Sequence, residues 1–345
     1  MRIAELFDLR KFRIVQGPIE DPGPGEVQVR VEAVGICGSD LHDFSEGGIG
    51  GRLCTYPMII GHEPTGEVVK TGPGVTGCAP GDRAAIEPAV YCYRCEFCLS
   101  GCYNLCANMR FYSSPGEPGF FREYVNVPLE SVLRLPDQIG FAEGTLFEPL
   151  AVVLESMKFV PLNPLGTAAV FGAGPIGLMT IVMLRMRRAG RIWAVEPVAH
   201  RREMAKAAGA DVLLDPREVD PARQILTDTG NRGVDVAIDC AASEHSTNLC
   251  MDGLRSGGRL VITGIPARLE VPLNLHTARR KGLAIYNTRR SNHTSHEALE
   301  LLARHPALFH PIVTHTLPLD RIQRAFEMLE QYSDGAGKVV IRPQA

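Results

Sequence analysis

The chain has 345 residues, of which 45% are hydrophobic and 22% are charged, and its formal net charge is -3. This length exceeds what one small core needs and predicts two domains, while the composition excludes general disorder. The slightly acidic balance argues against nucleic-acid binding, which normally needs a basic surface.

The apolar segments predict neither a secretory signal nor a membrane span. The first ten residues carry charges within their apolar pattern, and the longest apolar run, residues 168–184, is interrupted by three glycines and Pro175. A spanning helix does not need that glycine spacing, whereas a nucleotide-binding turn does. We therefore expect a cytoplasmic protein with no membrane partner.

The first half of the chain is rich in glycine and proline, and its short segments alternate apolar and polar residues. Residues 27–34 read VQVRVEAV, which predicts a strand with one buried face. Residues 66–70, 82–86 and 121–127 predict further strands between turn clusters. This density of short strands indicates a β-rich, barrel-like domain.

From about residue 153 the pattern changes to alternating strands and helices. Strands are expected at residues 168–171, 191–195, 211–214, 234–239, 259–263 and 283–287, and helices at 176–188 and 201–208. Such a series predicts an α/β fold with a doubly wound parallel sheet of six strands. The chain ends in a short strand at 338–341, so we expect residues 289–345 to join residues 1–152, leaving 153–288 as an inserted domain.

A glycine-rich turn follows the first strand of that series. Gly172, Gly174 and Gly177, with Pro175 and Ile176 before the third glycine, fit G-x-G-x-x-G between a strand and a helix. The first glycine permits the tight turn, the second lets the backbone approach a pyrophosphate, and the third allows close packing of helix on strand. The turn therefore predicts dinucleotide binding.

Glu196 lies at the end of the second strand, 19 residues beyond the last glycine of the turn. An acidic side chain there accepts hydrogen bonds from the ribose hydroxyls and repels a 2′-phosphate, which favours NAD over NADP. Arg201 and Arg202 leave an alternative, because arginine accommodates a 2′-phosphate or stacks on adenine. We expect NAD, and we place Arg201, Gly264 and Ile265 in the cofactor site as well.

Five of the ten cysteines lie between residues 92 and 106. Cys92, Cys95, Cys98 and Cys106 have the spacing C-x2-C-x2-C-x7-C within a lobe of about residues 88–108, which in a reducing compartment predicts a metal site. Four thiolates around one tetrahedral zinc leave no open position, so this zinc is expected to be structural. Cys102 is an extra thiol that could replace one of its neighbours.

A second zinc site is expected from distant segments that carry Cys37, His62, Glu63 and Glu148. Thiolate, imidazole and carboxylate are ordinary zinc ligands, and a catalytic zinc keeps one position for water or substrate. Each residue alone is more often a packed side chain than a ligand. Their combination with the cysteine lobe and the nucleotide turn indicates a catalytic zinc.

Together these segments resemble the zinc-containing medium-chain alcohol dehydrogenase superfamily over essentially the whole chain. Residues 35–42 (GICGSDLH), 61–63 (GHE) and 80–84 (PGDRA), the cysteine lobe and the glycine turn occur in the family's order. Within it the chain most resembles the polyol (sorbitol/xylitol) and L-idonate 5-dehydrogenase branch, at residues 84–88, 109–112 and 147–152. The resemblance implies a GroES-like catalytic domain and an inserted Rossmann domain.

The resemblance also implies roles for the residues around the catalytic zinc. Cys37, His62 and Glu63 would bind the metal, and Glu148 would hold its water or enter the coordination shell when that water leaves. The reaction implied is oxidation of a secondary alcohol on a polyol-like substrate to a ketone or ketose, with hydride transfer to NAD. The released proton would leave through Ser39 and His42, or through water on Glu148.

The residues implied to contact the substrate include Phe44, Phe111, Arg289 and Arg290, together with Glu148. Arg289 would contact the cofactor as well, whereas Arg290 and the pair Asp43-Phe44 depart from the branch's pattern. A second cation favours a carboxylate or phosphate, unless Arg290 simply faces solvent. A sugar acid, a phosphorylated polyol or L-threonine therefore stays open as the substrate.

Two other functions share this fold. One is a zinc-free quinone or enoyl reductase, and the other is a non-catalytic NAD-binding protein. By analogy with relatives that pair residues 260–275 between subunits, a homodimer or homotetramer is expected.

Overall fold

The computed structural model describes residues 1–161, 163–243 and 245–345. Contacts divide the chain into a first unit, Met1–Glu148 with Asn292–Ala345, and an inserted unit, Pro149–Ser291. The boundaries expected from the sequence, 152/153 and 288/289, differ from these by four residues (152 against 148) and three (288 against 291). Within the described ranges, no helix has the length and apolar character needed to cross a membrane.

The first unit begins with short strands and four helices. The strands are β1 (Arg2–Asp8), β2 (Lys11–Gln16), β3 (Glu26–Gly35), β4 (Gly48–Ile49), β5 (Arg52–Leu53), β6 (Glu63–Thr71), β7 (Arg83–Ile86), β8 (Ala89–Val90), β9 (Arg110–Phe111), β10 (Tyr124–Pro128) and β11 (Val132–Arg134). The helices are α1 (Gly38–Glu46), α2 (Glu96–Leu99), α3 (Phe141–Gly144) and α4 (Phe147–Met157), the last of which continues into the inserted unit.

The inserted unit alternates strands with helices. Its strands are β12 (Thr167–Phe171), β13 (Arg191–Val195), β14 (Val212–Leu214), β15 (Val234–Asp239), β16 (Leu254–Ile262) and β17 (Ala284–Asn287). Its further helices are α5 (Pro175–Met186), α6 (Ala199–Ala207), α7 (Pro221–Asp228), α8 (Ser246–Gly253) and α9 (Leu275–Lys281). The strands form one parallel sheet in the order β14-β13-β12-β15-β16-β17, which confirms the predicted doubly wound α/β fold.

The chain then returns to the first unit through α10 (Ser295–Arg304), α11 (Pro306–Phe309), β18 (Val313–Pro318), α12 (Ile322–Glu330) and β19 (Lys338–Arg342). Strand β19 pairs with β18 and, antiparallel, with the end of β3. The main sheet of this unit runs β11-β7-β6-β3-β19-β18, and β10 also pairs with β3. The C-terminal strand thereby reaches the place where β3 ends and β6 begins.

Strand β3 differs from the expectation of one buried face. Val27, Val29 and Val31 are fully buried on one side, but Gln28 and Glu32 on the other side are also buried, at 7% and 8% exposure. Strand β3 is central in its sheet: β6 pairs along one edge, and β10 and β19 pair along the other, so neighbouring strands flank both edges. Gln28 is held there by hydrogen bonds to the Glu20 carbonyl and the Asn126 side chain. The alternating pattern correctly predicted the strand, but it did not predict that residues on both faces are buried.

Candidate metal and cofactor sites

The four-cysteine lobe brings together the four thiols that its spacing predicts. The sulfur atoms of Cys92, Cys95, Cys98 and Cys106 all lie within 4.8 Å of one another. The separations are 3.5 Å for Cys95–Cys98 and Cys92–Cys106, 3.9 Å for Cys95–Cys106 and 4.0 Å for Cys92–Cys98. Four sulfurs about 2.3 Å from one tetrahedral zinc would lie about 3.8 Å apart, so these thiols fit that ion.

The surroundings of Cys92 favour the thiolate that a metal needs. The backbone N–H of Arg94 and then the amide of Asn108 lower the pKa of Cys92 to about 5. Cys102, the extra thiol in the sequence, does not belong to the set of four. Since all four coordination positions are filled by protein, this site has a structural character.

The second cluster lies where β3, α1 and β6 meet in the first unit. Cys37 precedes the first turn of α1, His62 directly precedes β6, and Glu63 is the first residue of β6. Glu63 pairs with Gly35 at the end of β3, so the sheet register brings the three together. One ligand atom from each lies within 4.8 Å of the others, and both His62 and Glu63 are buried. Three protein ligands of mixed sulfur, nitrogen and oxygen type leave one coordination position open, as in catalytic zinc sites.

Asp40 orients His62, a role that the sequence analysis did not predict. Its Oδ1 lies 3.1 Å from His62 Nδ1 and accepts hydrogen bonds from the Gly61 N–H at 3.2 Å and the Ser113 hydroxyl at 3.1 Å. Its Oδ2 accepts from the Cys37 N–H at 3.0 Å. A carboxylate on Nδ1 fixes the proton there and leaves Nε2 for a metal. The sequence signal for this role was the position of Asp40, three residues after Cys37 in the first turn of α1.

The electrostatics of this cluster favour positive charge. Burial works against a charged imidazole, but the negative charges of Asp40 and Cys37 outweigh it and raise the pKa of His62 well above its usual value. Likewise, burial opposes ionisation of Asp40, yet the charge of His62 lowers the pKa of that carboxyl. A divalent cation supplies the positive charge that the negative groups of this cluster favour, so the residues present fit zinc.

Lys338 is a second residue that sequence reasoning missed. Lys338 is 2% exposed, and its ammonium donates to both oxygens of Glu63, at 2.8 and 2.5 Å, and to the Ile36 carbonyl at 3.0 Å. A Cβ on Gly35 would lie 2.1 Å from Glu63 Oε2, so only glycine leaves room for this carboxylate. Lys338 lies 275 residues from Glu63, and no local pattern connects them.

Glu148 interacts electrostatically with His62 and Glu63, but it is not a member of the metal-binding cluster. Burial and the charges of Glu63 and Glu87 raise the pKa of Glu148 to about 7, against the opposing charges of His62 and Lys338. The structure brings together Cys37, His62 and Glu63 without it. Its expected role at the metal, directly or through water, stays a prediction.

The residues expected around the substrate divide into two groups. The Phe111 ring contacts the His62 ring, with centroids 5.4 Å apart, which places it beside the cluster. Phe44, in contrast, is fully buried, with its ring centroid 5.8 Å from that of Phe12 and 5.1 Å from that of Phe326. Phe44 therefore packs in the hydrophobic core, and its expected contact with substrate stays a prediction.

Ser39 and His42 both lie on α1, which starts directly after Cys37. Ser39 is half-buried, and His42 Nδ1 lies 3.0 Å from Glu46 Oε1, one helical turn further on. Their proposed proton relay stays a prediction. Arg289 and Arg290 follow β17 in the inserted unit, and their contact with substrate also stays a prediction.

The glycine turn of the inserted unit has the geometry that its motif requires. Gly172 adopts a positive φ of 90°, and a Cβ on Gly177 would lie 1.8 Å from the Gly172 carbonyl oxygen. A Cβ on Gly174 would meet only Arg201 Nη1, at 3.9 Å. Pro175 begins α5 directly after Gly174, followed by Ile176, so the free N–H groups at this helix end are available to phosphate.

Glu196 also fastens this turn, which the sequence analysis did not predict. Its Oε2 accepts a hydrogen bond from the Ala173 N–H at 2.7 Å, and its Oε1 accepts from the Val198 N–H at 2.9 Å. Arg202 is held by the Glu196 carbonyl at 2.8 Å and by Asp215 at 2.9 Å. The acidic side chain at the end of β13 is thus adjacent to the turn, and Arg202 is already paired.

Gly264 and Ile265 follow β16 at the same carboxyl edge of the sheet. The Gly264 N–H donates to the Asp239 carbonyl at 2.9 Å, and a Cβ on Gly264 would lie 2.9 Å from Ala242 Cβ. Ile265 is exposed, at 56%. Ligands of open α/β sheets bind outside the carboxyl ends of the strands, so this edge suits a dinucleotide.

Comparison with known proteins agrees with this geometry. Residues 23–137 match the alcohol dehydrogenase GroES-like domain, and residues 175–304 match the zinc-binding dehydrogenase domain. Sorbitol dehydrogenase of Bacillus subtilis (strain 168) is 35% identical over 343 residues, covering 99% of this chain and 97% of that protein. L-idonate 5-dehydrogenase of Vitis vinifera is 32% identical over 330 residues, covering 94% of this chain and 90% of that protein.

A solved structure extends the likeness to the whole fold. A zinc-binding dehydrogenase from Sinorhizobium meliloti 1021, bound to NADP, superposes with a TM-score of 0.90 at 28% identity and 99% coverage of both chains. The resemblance to the polyol branch is confirmed, and so are two zinc sites and a nicotinamide dinucleotide as the cofactors. The chain belongs to the zinc-binding alcohol dehydrogenase family, as an oxidoreductase of the polyol and sugar-acid dehydrogenase type.

Proposed function

We propose that this enzyme uses NAD to oxidise a secondary alcohol of a polyol to the corresponding ketose. The observation that carries the proposal is the cluster of Cys37, His62 and Glu63, whose three ligands leave a coordination position for a substrate oxygen. A purely structural metal needs no such position. The full-length similarity to sorbitol dehydrogenase supports a polyol as the substrate class.

The residues around the cluster have separable tasks in this reaction. When bound, zinc supplies a Lewis acid that makes the substrate hydroxyl more acidic. Asp40 holds the imidazole of His62 in one tautomer, and Lys338 holds the carboxylate of Glu63. The hydride released from the carbinol carbon passes to the nicotinamide ring of NAD.

We propose Glu148 as the group that accepts the released proton, through a water molecule. The pKa of Glu148 is raised to about 7 mainly by burial, so its carboxyl exchanges a proton near neutral pH. The alternative, Ser39 with His42, is less favoured because Glu46 already contacts His42 Nδ1.

We propose NAD rather than NADP as the preferred cofactor. The carboxylate of Glu196 at the end of β13 repels a 2′-phosphate, and Arg202 is paired with the buried Asp215 instead of being available to one. The related Sinorhizobium meliloti protein binds NADP, so the preference needs a direct measurement. We expect kcat/KM for NAD to exceed that for NADP at least about tenfold, and equal values would contradict the proposal.

The substrate class is tested by a screen of polyols, aldonates, their phosphates and L-threonine, with NADH formation followed by absorbance. Turnover of a neutral polyol such as sorbitol or xylitol is expected. Turnover confined to sugar acids or phosphates would contradict the polyol proposal and favour Arg290 as an anion-binding residue. Activity that persists without zinc would instead identify a zinc-free reductase of the same fold.

We also propose a homodimer or homotetramer. Four large apolar side chains in the segment after β16 are exposed: Ile265 at 56%, Leu269 at 77%, Leu273 at 39% and Leu275 at 65%. Contiguous exposed apolar side chains are typical of subunit interfaces. Light scattering that gives the mass of a single 37.6 kDa chain would contradict this proposal.

A further inference from the structure

A cavity of the inserted unit lies at the edge of the sheet opposite the cofactor turn. It has a volume of about 420 Å³ and is lined by Arg232, Asp235, Arg255 and Arg259 together with Asn163. Asp235 is the second residue of β15, and it contacts Thr167, the first residue of β12. The cavity is therefore at the amino ends of these parallel strands.

The charge of this cavity is opposite in sign to that of the whole chain. Three arginines and one aspartate are the charged residues among those described that line it, which gives 3 − 1, a local charge of +2. The chain as a whole carries -3. A concave surface of one sign concentrates ions of the other sign, so this cavity favours anions.

Asp235 orients two of the arginines. Its Oδ1 accepts hydrogen bonds from Arg232 Nη2 at 2.6 Å and from Arg255 Nε at 2.7 Å, and its Oδ2 accepts from the N–H and the hydroxyl of Thr167, both at 2.9 Å. These bonds lower the pKa of Asp235, although burial opposes the shift. One carboxylate therefore fixes the directions of two guanidinium groups while neutralising only one charge.

Arg259 provides the third guanidinium. In the described part of the chain, no carboxylate lies within ion-pairing distance of it. Its guanidinium lies over the ring of Tyr286, 5.5 Å from the centroid, and that ring stacks on Phe159 at 5.0 Å. A guanidinium supported on an aromatic face keeps its N–H donors at the edge, where they are available to an anion.

The cavity is distinct from the cofactor site. Strand β12 runs from Thr167, which binds Asp235, to Phe171, which precedes the glycine turn at Gly172. Five residues of a strand span about 15 Å, so an anion here does not contact the pyrophosphate site at the other end. Nothing in the dehydrogenase reaction uses these three arginines.

We propose that this cavity binds a small polyanion with two or more carboxylate or phosphate groups. Arginine binds both groups through charge-assisted N–H donors, and the net charge of +2 exceeds what a single monoanion needs. The volume is within the usual range for small-molecule sites and accommodates a tricarboxylate or a pyrophosphate. Binding would stabilise the folded inserted unit and is independent of the proposed polyol activity.

Calorimetric titration of the zinc-loaded enzyme tests the proposal, with saturating NADH present so that the cofactor turn is occupied. Tricarballylate serves as the carboxylate probe and pyrophosphate as the phosphate probe, each at constant ionic strength. We expect one saturable site per chain for at least one probe. Arg255→Gln and Arg259→Gln should each weaken binding about tenfold, because each removes charge-assisted hydrogen bonds.

Arg223→Gln is the matched control, because Arg223 is an exposed arginine of the same unit, on α7, that does not line the cavity. It should bind both probes as the wild type does. Unchanged NADH affinity in Arg255→Gln and Arg259→Gln will show that these variants are folded. The proposal is overturned if neither probe gives a saturable site, or if the folded Arg259→Gln variant binds them as tightly as the wild type.

Discussion

Replacement of Asp40 by asparagine tests how the protein holds its catalytic metal ligand. Asp40 Oδ2 accepts a hydrogen bond from the Cys37 N–H. Asp40 Oδ1 accepts from the Gly61 N–H and the Ser113 hydroxyl, and it also faces His62 Nδ1. Both oxygens therefore face donors. An asparagine has one NH2 group, which must face a donor in either orientation, so Asp40→Asn breaks part of this network without changing its size.

The expected effect is weaker zinc binding rather than unfolding. Partners that orient a metal-binding histidine typically contribute 10-fold to 100-fold in metal affinity, which is about 1.4–2.8 kcal/mol. A hydrogen bond to a charged group contributes about 1.5–3 kcal/mol, which is the same range. We therefore expect Asp40→Asn to bind the catalytic zinc at least about tenfold more weakly.

A competition titration with a chromophoric zinc chelator measures this change directly. The four-cysteine site provides an internal reference, because it lacks Asp40 and should release its zinc equally in the wild type and the variant. Asp82→Asn is a suitable control, since Asp82 is exposed and its side chain bonds within its own turn, at Cys78 and Ala79. Equal zinc affinity of the Cys37, His62 and Glu63 site in the wild type and in folded Asp40→Asn would refute the reasoning.

Three further predictions concern the proton, the turn and the structural zinc. Because burial raises the pKa of Glu148 to about 7, alcohol oxidation should accelerate as pH rises through 7 and this carboxyl loses its proton. The Glu148→Gln variant should lose that step in the pH profile of kcat. A step retained in the variant would exclude Glu148 as the proton acceptor. Gly177→Ala should lose about 1–3 kcal/mol of unfolding free energy, because its Cβ would collide with a carbonyl oxygen at 1.8 Å. Gly174→Ala should keep its thermal stability and lose NADH affinity, and equal melting temperatures of the two variants would contradict this account. Cys106→Ser should lose one zinc per chain by metal analysis, whereas Cys102→Ser should keep both; loss of zinc from Cys102→Ser would revise the ligand set.

Local patterns predicted most of the inserted unit. Residues 172–177 read correctly as a turn between strand and helix because the constraint is local: the third glycine contacts the carbonyl of the first. Strand β16 nevertheless begins at Leu254, before the expected start at 259. The polar and glycine residues at 255–258 hid that start, since they interrupt the apolar pattern. Gly257 has a positive φ of 68°, and the pairing with β15 changes register between Leu254 and Arg259.

The limits of sequence reasoning are clearer in the first unit. A strand was expected from residue 121, but Phe121 forms backbone hydrogen bonds to Ile60 and Ala4, and β10 begins at Tyr124. Phe121 is fully buried, so its apolar character correctly indicated burial but did not indicate which residues its backbone bonds. Lys338 could not be found in the same way, because only the pairing of β19 with β3 brings it to Glu63.

The central claim is that Cys37, His62 and Glu63 bind the zinc on which dehydrogenation depends. The most direct test is metal analysis of a folded His62→Ala variant, combined with its rate of NADH formation from NAD and a polyol. The account predicts two zinc ions per chain in the wild type, one in His62→Ala, and no measurable NADH formation by the variant. Undiminished NADH formation by His62→Ala would contradict it.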